Sequence, residues 1–326
     1  MKNLMFVQFS HSGFEHQLTK QEMTNFIGTT MLKDWNYGMH KRKFMKCLGC
    51  VVDKDLKSSF AELYFWGEWE PMSYVKVLDY AADGHTLPRY LHEPVLILKS
   101  NGKPISPWYR NVRCTQAIND GQNKNRALCQ NTDPYIFSDN FLFSCCRQVK
   151  KNKPTILQKL APGSIILFGS SFNTKTDPIF AIDTVFVIGK SRKYYPRNSQ
   201  TDLKGFVPNE YYTVMGFEKW PDMPFTCYQG VSYQECPNGP FSFVPCKTEL
   251  PFDGEKRIGF KRPFVRYCDL EYNGKKMINP SNTRSFCTQF IVSEVDAIEL
   301  WNKVKDIILS QGFSLGVQFR YHTKVY

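Results

Sequence analysis

No apolar run in the 326-residue sequence is long enough to cross a membrane as a helix. The short motifs of several common enzyme classes are missing too: the sequence has no GxGxxG after a predicted strand, no Walker A motif, no HExxH and no GxSxG. These absences disfavour dinucleotide-binding enzymes, P-loop proteins, zincins and hydrolases with a nucleophile elbow. The chain also has no internal repeat, low-complexity tract or linker, and we therefore predict one domain over residues 1–326.

A secretory signal is not expected at the N-terminus. The segment MKNLMFVQFSHSG has only a short apolar run and no small-residue cleavage site, and it is typical of a strand. The 11 cysteines are scattered and odd in number, which disfavours a disulfide framework. We therefore expect a cytoplasmic protein with reduced, mostly buried thiols. Cys47 and Cys50 have metal-knuckle spacing, but they lack a clear second ligand pair, and we predict no metal site.

The sequence has an excess of positive charge. Its formal net charge of +12 favours an anionic partner such as nucleic acid, a nucleotide or an acidic protein, although a generally basic surface would give the same charge. The basic cluster HKRKFMK lies next to aromatic residues, and this combination suits phosphate contact together with base stacking. Trp35, Arg42 and Lys43 are therefore candidate ligand-binding residues, unless the segment is a solvated basic turn.

Three histidines are further candidates. His11 and His16 follow the first predicted strand beside a glycine and a glutamate, a pattern that suits a loop binding a phosphate or a metal but also occurs in ordinary loops. His92 adjoins Glu93 in LPRYLHEP, where it is a polar group inside an apolar stretch. We predict ligand binding for His11 and His16 and a catalytic role for His92.

The stretch FAELYFWGEWE is the clearest predicted strand. Alternation of side chains puts Trp66 and Glu68 on one face and Leu63 and Phe65 on the core face. A bulge at Gly67 would re-aim Glu68. A carboxylate held against a tryptophan ring tends to have a raised pKa, as a general acid or base requires, so Glu68 is the main catalytic candidate and Trp66 a stacking candidate. The alternative is that Glu68 pairs with a lysine or arginine.

The segment QNTDPYIFSDNFLFSCCRQVKKNKP mixes polar residues with residues that must be buried. Asp133 precedes a proline in a turn and is a candidate ligand-binding residue, whereas Asp139 caps a turn or acts as a catalytic residue. Arg147 and Gln148 end the run with donors that suit phosphates or base edges. Residues 100–130, just before this segment, are polar and basic, and we predict a polar insertion or mobile loop there.

The high aromatic content of 15%, together with 19 Pro and 20 Gly, favours many short strands over long helices. SIILFGS and IFAIDTVFVIGKS predict a central hairpin, and YYTVMGF predicts a further strand. Asp183 interrupts the central hairpin, where a carboxylate must be hydrogen-bonded or paired, either as a structural residue or in a site.

The C-terminal part of the chain predicts one clear helix. Ser293 to Asp296 resemble a capping box at its start, and Gly312 ends it. Apolar residues recur at helical spacing and predict its core face: Val295, Ile298, Trp301, Val304, Ile307 and Ile308. Together, the patterns predict a single α+β domain with a bent, mostly antiparallel sheet, long loops and a C-terminal amphipathic helix.

Several stretches, including FWGEWEP, NTDPYIF and PGSIILFGS, together resemble a family of uncharacterised bacterial proteins of about this length, for which no catalytic residues are assigned. PGSIILFGS followed by IDTVFVIGKS is also similar to the strand pair of PUA-like folds of the ASCH and EVE type. This likeness implies a partial barrel with a PUA-like core that binds RNA or modified bases in DNA. A link to the nucleotide-modification-associated domains of phage and defence loci is a further, separate expectation.

Three functions remain open from the sequence. The first is a nucleic-acid or nucleotide binding protein, and the second is an enzyme that processes a nucleotide or nucleic acid with Glu68 as general base. The third is a basic module that docks on an acidic protein. The sequence identifies no cofactor and does not decide whether the protein is an enzyme.

Overall fold

A computed structural model describes residues 3–10, 30–33, 42–69, 73–78, 90–98, 133, 139, 141–172, 178–215, 222–250, 259–279 and 287–325. The predictions for His11, His16, Trp35 and residues 100–130 lie outside these ranges. No helix in the described ranges is long and apolar enough to cross a membrane.

The first of two large sheets has seven strands, in the order β17-β1-β10-β11-β12-β7, with β14 also paired to β11. β1 and β10 run parallel, and the other pairings in this sheet are antiparallel. The predicted central hairpin is confirmed as the β10–β11 pair. The strands are β1 (Met5–Ser10), β7 (Leu142–Phe143), β10 (Ile165–Phe172), β11 (Ile179–Tyr194), β12 (Phe225–Gly230), β14 (Phe264–Arg266) and β17 (Cys287–Ile291).

The second sheet has eight strands, in the order β18-β13-β4-β3-β6-β5-β2, with β19 on β6. β18 pairs with β13 and also with β3. The strands are β2 (Thr30–Lys33), β3 (Arg42–Val52), β4 (Ser58–Glu68), β5 (Ser73–Val77), β6 (Tyr90–Leu98), β13 (Val244–Lys247), β18 (Ser314–Arg320) and β19 (His322–Val325).

Small elements complete the described fold. Two short hairpins pair β8 (Val149–Lys150) with β9 (Lys153–Pro154) and β15 (Glu271–Tyr272) with β16 (Lys275–Lys276). The helices are α1 (Ser199–Asp202), α2 (Asn209–Met215) and α3 (Glu294–Ser310), and 3₁₀ turns occupy Ile156–Lys159 and Pro196–Asn198. The α+β class is therefore mostly sheet, and largely antiparallel.

The core lies on both faces of the central strands. In β1, Phe6 packs into one apolar cluster and Val7 into a second, and each cluster also takes residues from the other sheet, such as Phe44 and Met45 of β3. Every residue of β1 is buried. A strand buried on both faces needs a nearly continuous apolar run, which explains why β1 and β10 resemble parallel-sheet strands.

The C-terminal helix begins and ends where the sequence predicts, but its predicted core face is partly wrong. Ser293 and Asp296 form a reciprocal capping box, and Gly312 follows the last turn with φ of +75°. Trp301 is buried as predicted, whereas Val295 and Ile298 are 73% and 40% exposed. The buried stripe instead begins with Ala297 and Leu300, so Val295 and Ile298 lie outside the face that packs on the core.

Two strand predictions are also corrected. YYTVMGF was predicted as a strand, but Asn209–Met215 forms helix α2, whose Tyr211 and Met215 pack in a third apolar cluster. The predicted bulge at Gly67 is wrong, because the β3–β4 register runs unbroken from Lys43 opposite Gly67 to Arg42 opposite Glu68. The predicted alternation in β4 is confirmed by the two clusters, one containing Trp66 and the other Phe65.

Candidate functional site

A cluster of four charged side chains, of which Glu68 is only partly buried, joins the two sheets. Arg42 begins β3 and Glu68 ends β4, and the register places them directly opposite each other. The Arg42 Nη1 donates to Glu68 Oε1 over 2.6 Å, and its Nε donates to the Asp183 carboxylate of β11. Glu68 therefore has the arginine partner that the alternative prediction gave it, and its role as a general base stays a prediction.

Asp183 reaches this position because it is the extra residue of a β-bulge. The β10–β11 register pairs Phe168 with Thr184 and Gly169 with Ile182, which leaves Asp183 unpaired in the ladder. Bulges re-aim side chains, and here the bulge turns a carboxylate towards the second sheet without ending an apolar strand. The sequence predicted that Asp183 must be paired, and this is confirmed.

A second arginine completes the cluster. The Arg262 Nη1 donates to Asp183 Oδ1 over 3.0 Å and to Ser170 Oγ over 2.9 Å. Its guanidinium also lies over the Phe172 ring, 5.2 Å from the centroid. The side chains of Arg42, Asp183 and Arg262 are only 3%, 5% and 7% exposed, so Asp183 bridges two buried guanidinium groups.

The charges in this cluster balance one another. Burial alone would lower the pKa of the Arg42 guanidinium, but the negative charges of Asp183 and Glu68 outweigh burial and raise that pKa above its ordinary value. Two arginines and two carboxylates thus neutralise each other inside the protein. Such a network fixes the positions of the elements that carry it, because each ion would be costly to bury alone.

Three predicted ligand-binding residues are buried. Arg42 belongs to the charge cluster, Lys43 has no exposed surface, and Trp66 is 8% exposed. The Trp66 indole Nε1 donates to the Phe260 carbonyl over 2.8 Å. None of the three side chains therefore offers a surface on which a polymer could lie.

A neighbouring polar network was missed in the sequence. The buried Gln8 amide donates to Ser10 Oγ, to Ser171 Oγ and to the Asn279 carbonyl, and its Oε1 accepts from Asn279 N over 2.6 Å. Gln8, Ser10 and Ser171 lie towards the carboxyl ends of the parallel strands β1 and β10. The signal was available, because Gln8 and Ser10 are polar residues on one face of an apolar strand.

The other two catalytic candidates lie on different elements from Glu68. His92 is buried on β6, with Met45 and Val75 as its register partners. Asp139 is exposed, and its carboxylate accepts from the backbone N of Phe319 in β18 over 3.2 Å.

Asp133 is a buried anchor for the chain before the β8–β9 hairpin. Its carboxylate accepts from the backbone N of Ser144 over 2.6 Å, of Cys145 over 3.3 Å and of Cys146 over 2.7 Å. The Ser144 hydroxyl also donates to it, over 3.0 Å. Burial raises the pKa of Asp133 to about 7, although these hydrogen bonds act in the opposite direction.

Arg147 and Gln148, which follow Cys146, connect the β8–β9 hairpin to β12. The buried Gln148 side chain donates to the Thr226 carbonyl over 2.6 Å and accepts from Thr226 N over 2.8 Å, as a neighbouring strand would. Gln158 Nε2 donates to the carbonyls of Gln148 and Pro224. The Thr155 hydroxyl donates to the Arg147 carbonyl over 2.8 Å. Gln148 is thus a structural anchor, whereas the Arg147 side chain next to it is exposed.

The hairpin itself is short and highly basic. Lys150 pairs with Lys153, and the two turn residues, Lys151 and Asn152, have φ of +49° and +58°. Positive φ at both positions is the geometry of a type I′ turn, in which a lysine is less favourable than Asn or Gly. The turn therefore holds a lysine at a position where backbone conformation alone would favour another residue.

We define the basic surface by six exposed cations around this hairpin. Lys193 of β11 belongs to this surface because of its neighbours. It lies opposite Thr226 of β12, and the Thr226 hydroxyl donates to the Gln158 carbonyl, next to Lys159. Five of the six cations, all except Lys150, form no ion pair with any residue in the described ranges. The basic surface consists of Arg147, Lys150, Lys151, Lys153, Lys159 and Lys193.

Within the described ranges, no group of three or more His, Cys, Asp and Glu side chains is arranged to hold a metal ion. Comparison of the chain with protein-family models, curated proteins and solved structures found no match.

Proposed function

We propose that this protein binds nucleic acid through the basic surface. The observation that carries the proposal is a segment that has cations but no acids. Residues 140–176 contain no Asp or Glu, and the part of this segment that forms the β8–β9 hairpin exposes its lysines to solvent. Exposed cations on a hydrogen-bonded hairpin suit contact with a phosphate backbone.

Nucleic acid fits the basic surface better than a mononucleotide. The cations come from the hairpin, from the 3₁₀ turn that follows it and from β11, so they are spread over several elements. A single phosphate group would use only some of them, whereas a chain of phosphates would use all. A PUA-like core, which the β10–β11 sequences suggested, would fit the same function, because folds of that type bind RNA or modified DNA bases.

The proposal is tested by binding of labelled oligonucleotides and mononucleotides at two salt concentrations, with fluorescence anisotropy as the readout. We expect the K150Q/K151Q/K153Q variant to bind oligonucleotides at least tenfold more weakly than the parent at low salt. Oligonucleotides that carry modified bases, included in the same assay, would show any preference for them as tighter binding.

The matched control is K54Q/K57Q/K275Q, which removes the same charge from three exposed lysines elsewhere. Lys54 and Lys57 lie in the β3–β4 turn beside Asp53 and Asp55, and Lys275 lies in the β15–β16 hairpin. Equal loss in both variants would mean that only net charge matters, and would refute the assignment to the basic surface. No binding by the parent at low salt would overturn the proposed function and favour docking on an acidic protein.

A second candidate function is catalysis on the bound nucleic acid with Glu68 as general base. One observation favours it: a β-bulge aims Asp183 into the buried cluster that contains Glu68, and bulges are common next to active sites. Mass spectrometry of oligonucleotides incubated with the protein would detect a chemical change. If the parent changes its substrate and a folded Glu68→Gln variant changes it equally fast, the role of Glu68 is wrong.

A further inference from the structure

An exposed aromatic residue lies at the edge of the basic surface. Tyr194, the last residue of β11, is 1% exposed and stacks on Phe225 with ring centroids 5.9 Å apart. Tyr195 follows it in extended conformation and is 43% exposed. Because side chains alternate along an extended chain, Tyr195 lies on the same face as Lys193, which belongs to the basic surface.

The backbone of Tyr195 is held firmly, although its ring is exposed. Its N–H donates to Asp202 Oδ2 over 2.9 Å, and Pro196 then begins a 3₁₀ turn. A tyrosine fixed in this way loses little conformational freedom when it contacts a ligand, because its backbone is already ordered. Its ring is large, flat and amphipathic, which suits contact with another flat ring.

The charges around Tyr195 differ from those on the hairpin. Asp202 accepts from the Tyr195 backbone, and Asp222 pairs with Arg197 over 2.9 Å. The Asp202 carboxylate disfavours a phosphate at the tyrosine itself, whereas the charge of Asp222 is balanced by Arg197. The exposed cations of the basic surface, which include Lys193, favour phosphates there. The arrangement therefore separates a position for a base from positions for the backbone.

We infer that Tyr195 stacks on an unpaired base, so that the ligand of the basic surface is single-stranded DNA or RNA. This inference rests on the proposed function. In a duplex the faces of the bases are covered by their neighbours, and only the cations of the basic surface would find partners. In a single strand the bases are free to turn onto an aromatic ring, while the phosphates contact the basic surface.

The test compares single-stranded DNA, single-stranded RNA and a duplex of the same sequence, using Tyr195→Ala and Tyr195→Phe variants. We expect Tyr195→Ala to weaken single-strand binding about tenfold or more and to change duplex binding less than twofold. Tyr195→Phe keeps the ring and should bind as the parent does. Tyr267→Ala is the control, because Tyr267 is a similarly exposed tyrosine (38%) in another part of the fold. Thermal melting would confirm that all variants are folded.

The outcomes separate this inference from the proposed function. If K150Q/K151Q/K153Q weakens binding and Tyr195→Ala does not, the basic surface binds nucleic acid and stacking by Tyr195 is refuted. Tighter binding of the duplex than of the single strand would also refute it. If the lysine variant binds as well as the parent, or if the parent binds nothing, the proposed function itself fails. DNA and RNA are distinguished by their relative affinities.

Discussion

Asp183→Asn is expected to be among the most destabilising single changes that conserve side-chain size. The carboxylate binds the Arg262 Nη1 through Oδ1 and the Arg42 Nε through Oδ2, and both arginines are buried. An amide keeps one acceptor oxygen and turns an NH₂ group towards a guanidinium N–H. Arg42 would then retain only Glu68 among the cluster's carboxylates, and Arg262 would retain none.

The expected cost follows from what remains unpaired. Removing one partner of a buried ion pair costs about 3–5 kcal/mol, because the remaining charge stays buried without its partner. Glu68→Gln should cost less, about 1–3 kcal/mol, since Arg42 keeps Asp183 and the Glu68 side chain is 12% exposed. As a control, Asp306→Asn should cost no more than about 0.5 kcal/mol, because that side chain is 70% exposed beside Lys305.

Urea unfolding, followed by tryptophan fluorescence and circular dichroism, measures the three free energies of unfolding. The order should be Asp183→Asn, then Glu68→Gln, then Asp306→Asn. An Asp183→Asn variant within about 1 kcal/mol of the parent would refute the argument that the cluster joins the sheets, since removing the negative charge between two buried arginines should cost more than that. If Glu68→Gln were the more damaging change, Asp183 would not be the centre of the network.

Three further predictions concern other parts of the molecule. If the three hairpin lysines contact phosphates, the plot of the logarithm of the binding constant against the logarithm of the salt concentration should become less steep by about 2–3 in K150Q/K151Q/K153Q. An unchanged slope would contradict such contact. The raised pKa of Asp133, about 7 against an ordinary 3.8, means that its protonated form stabilises the fold; this contribution is complete below about pH 4 and is lost as pH rises through about 7. Urea midpoints from pH 5 to 8 should therefore decline more in the parent than in Asp133→Asn, and parallel declines would argue against it. In Gly49→Ala the new Cβ would lie 2.1 Å from the Gln318 carbonyl oxygen, so a loss of about 3 kcal/mol or more is expected on thermal or urea unfolding, and a loss below about 1 kcal/mol would show that β18 can move aside.

Local signals in the sequence predicted local structure well. The capping box at Ser293 and the helix end at Gly312 depend on residues within one turn, so they could be recognised without knowing the rest of the fold. The alternation in β4 was likewise correct. The buried face of the C-terminal helix was harder to predict. Helical spacing fitted Val295 and Ile298 as well as Ala297 and Leu300, and only packing on the sheets decides which stripe is buried.

Long-range pairing could not be predicted in the same way. The sequence required a partner for Asp183, but Arg42 lies 141 positions away and Arg262 lies 79 positions away. Segment 209–215 shows the same limit for secondary structure. Its aromatic and β-branched residues favour a strand, yet the segment is helical because that conformation buries Tyr211 and Met215 against β12.

Charge density in the sequence did not distinguish buried from exposed cations, and the difference decides how binding experiments should be interpreted. Arg42 and Lys43 belong to the dense cluster HKRKFMK, yet both are buried, whereas the less conspicuous KKNK turn is exposed. Loss of binding after a change at Arg42 would therefore follow from loss of folding and could not show contact with a ligand. Changes in the KKNK turn leave the core untouched, so a loss of affinity there without a loss of stability would locate the ligand. The two sets of variants together separate binding from folding, which neither set does alone.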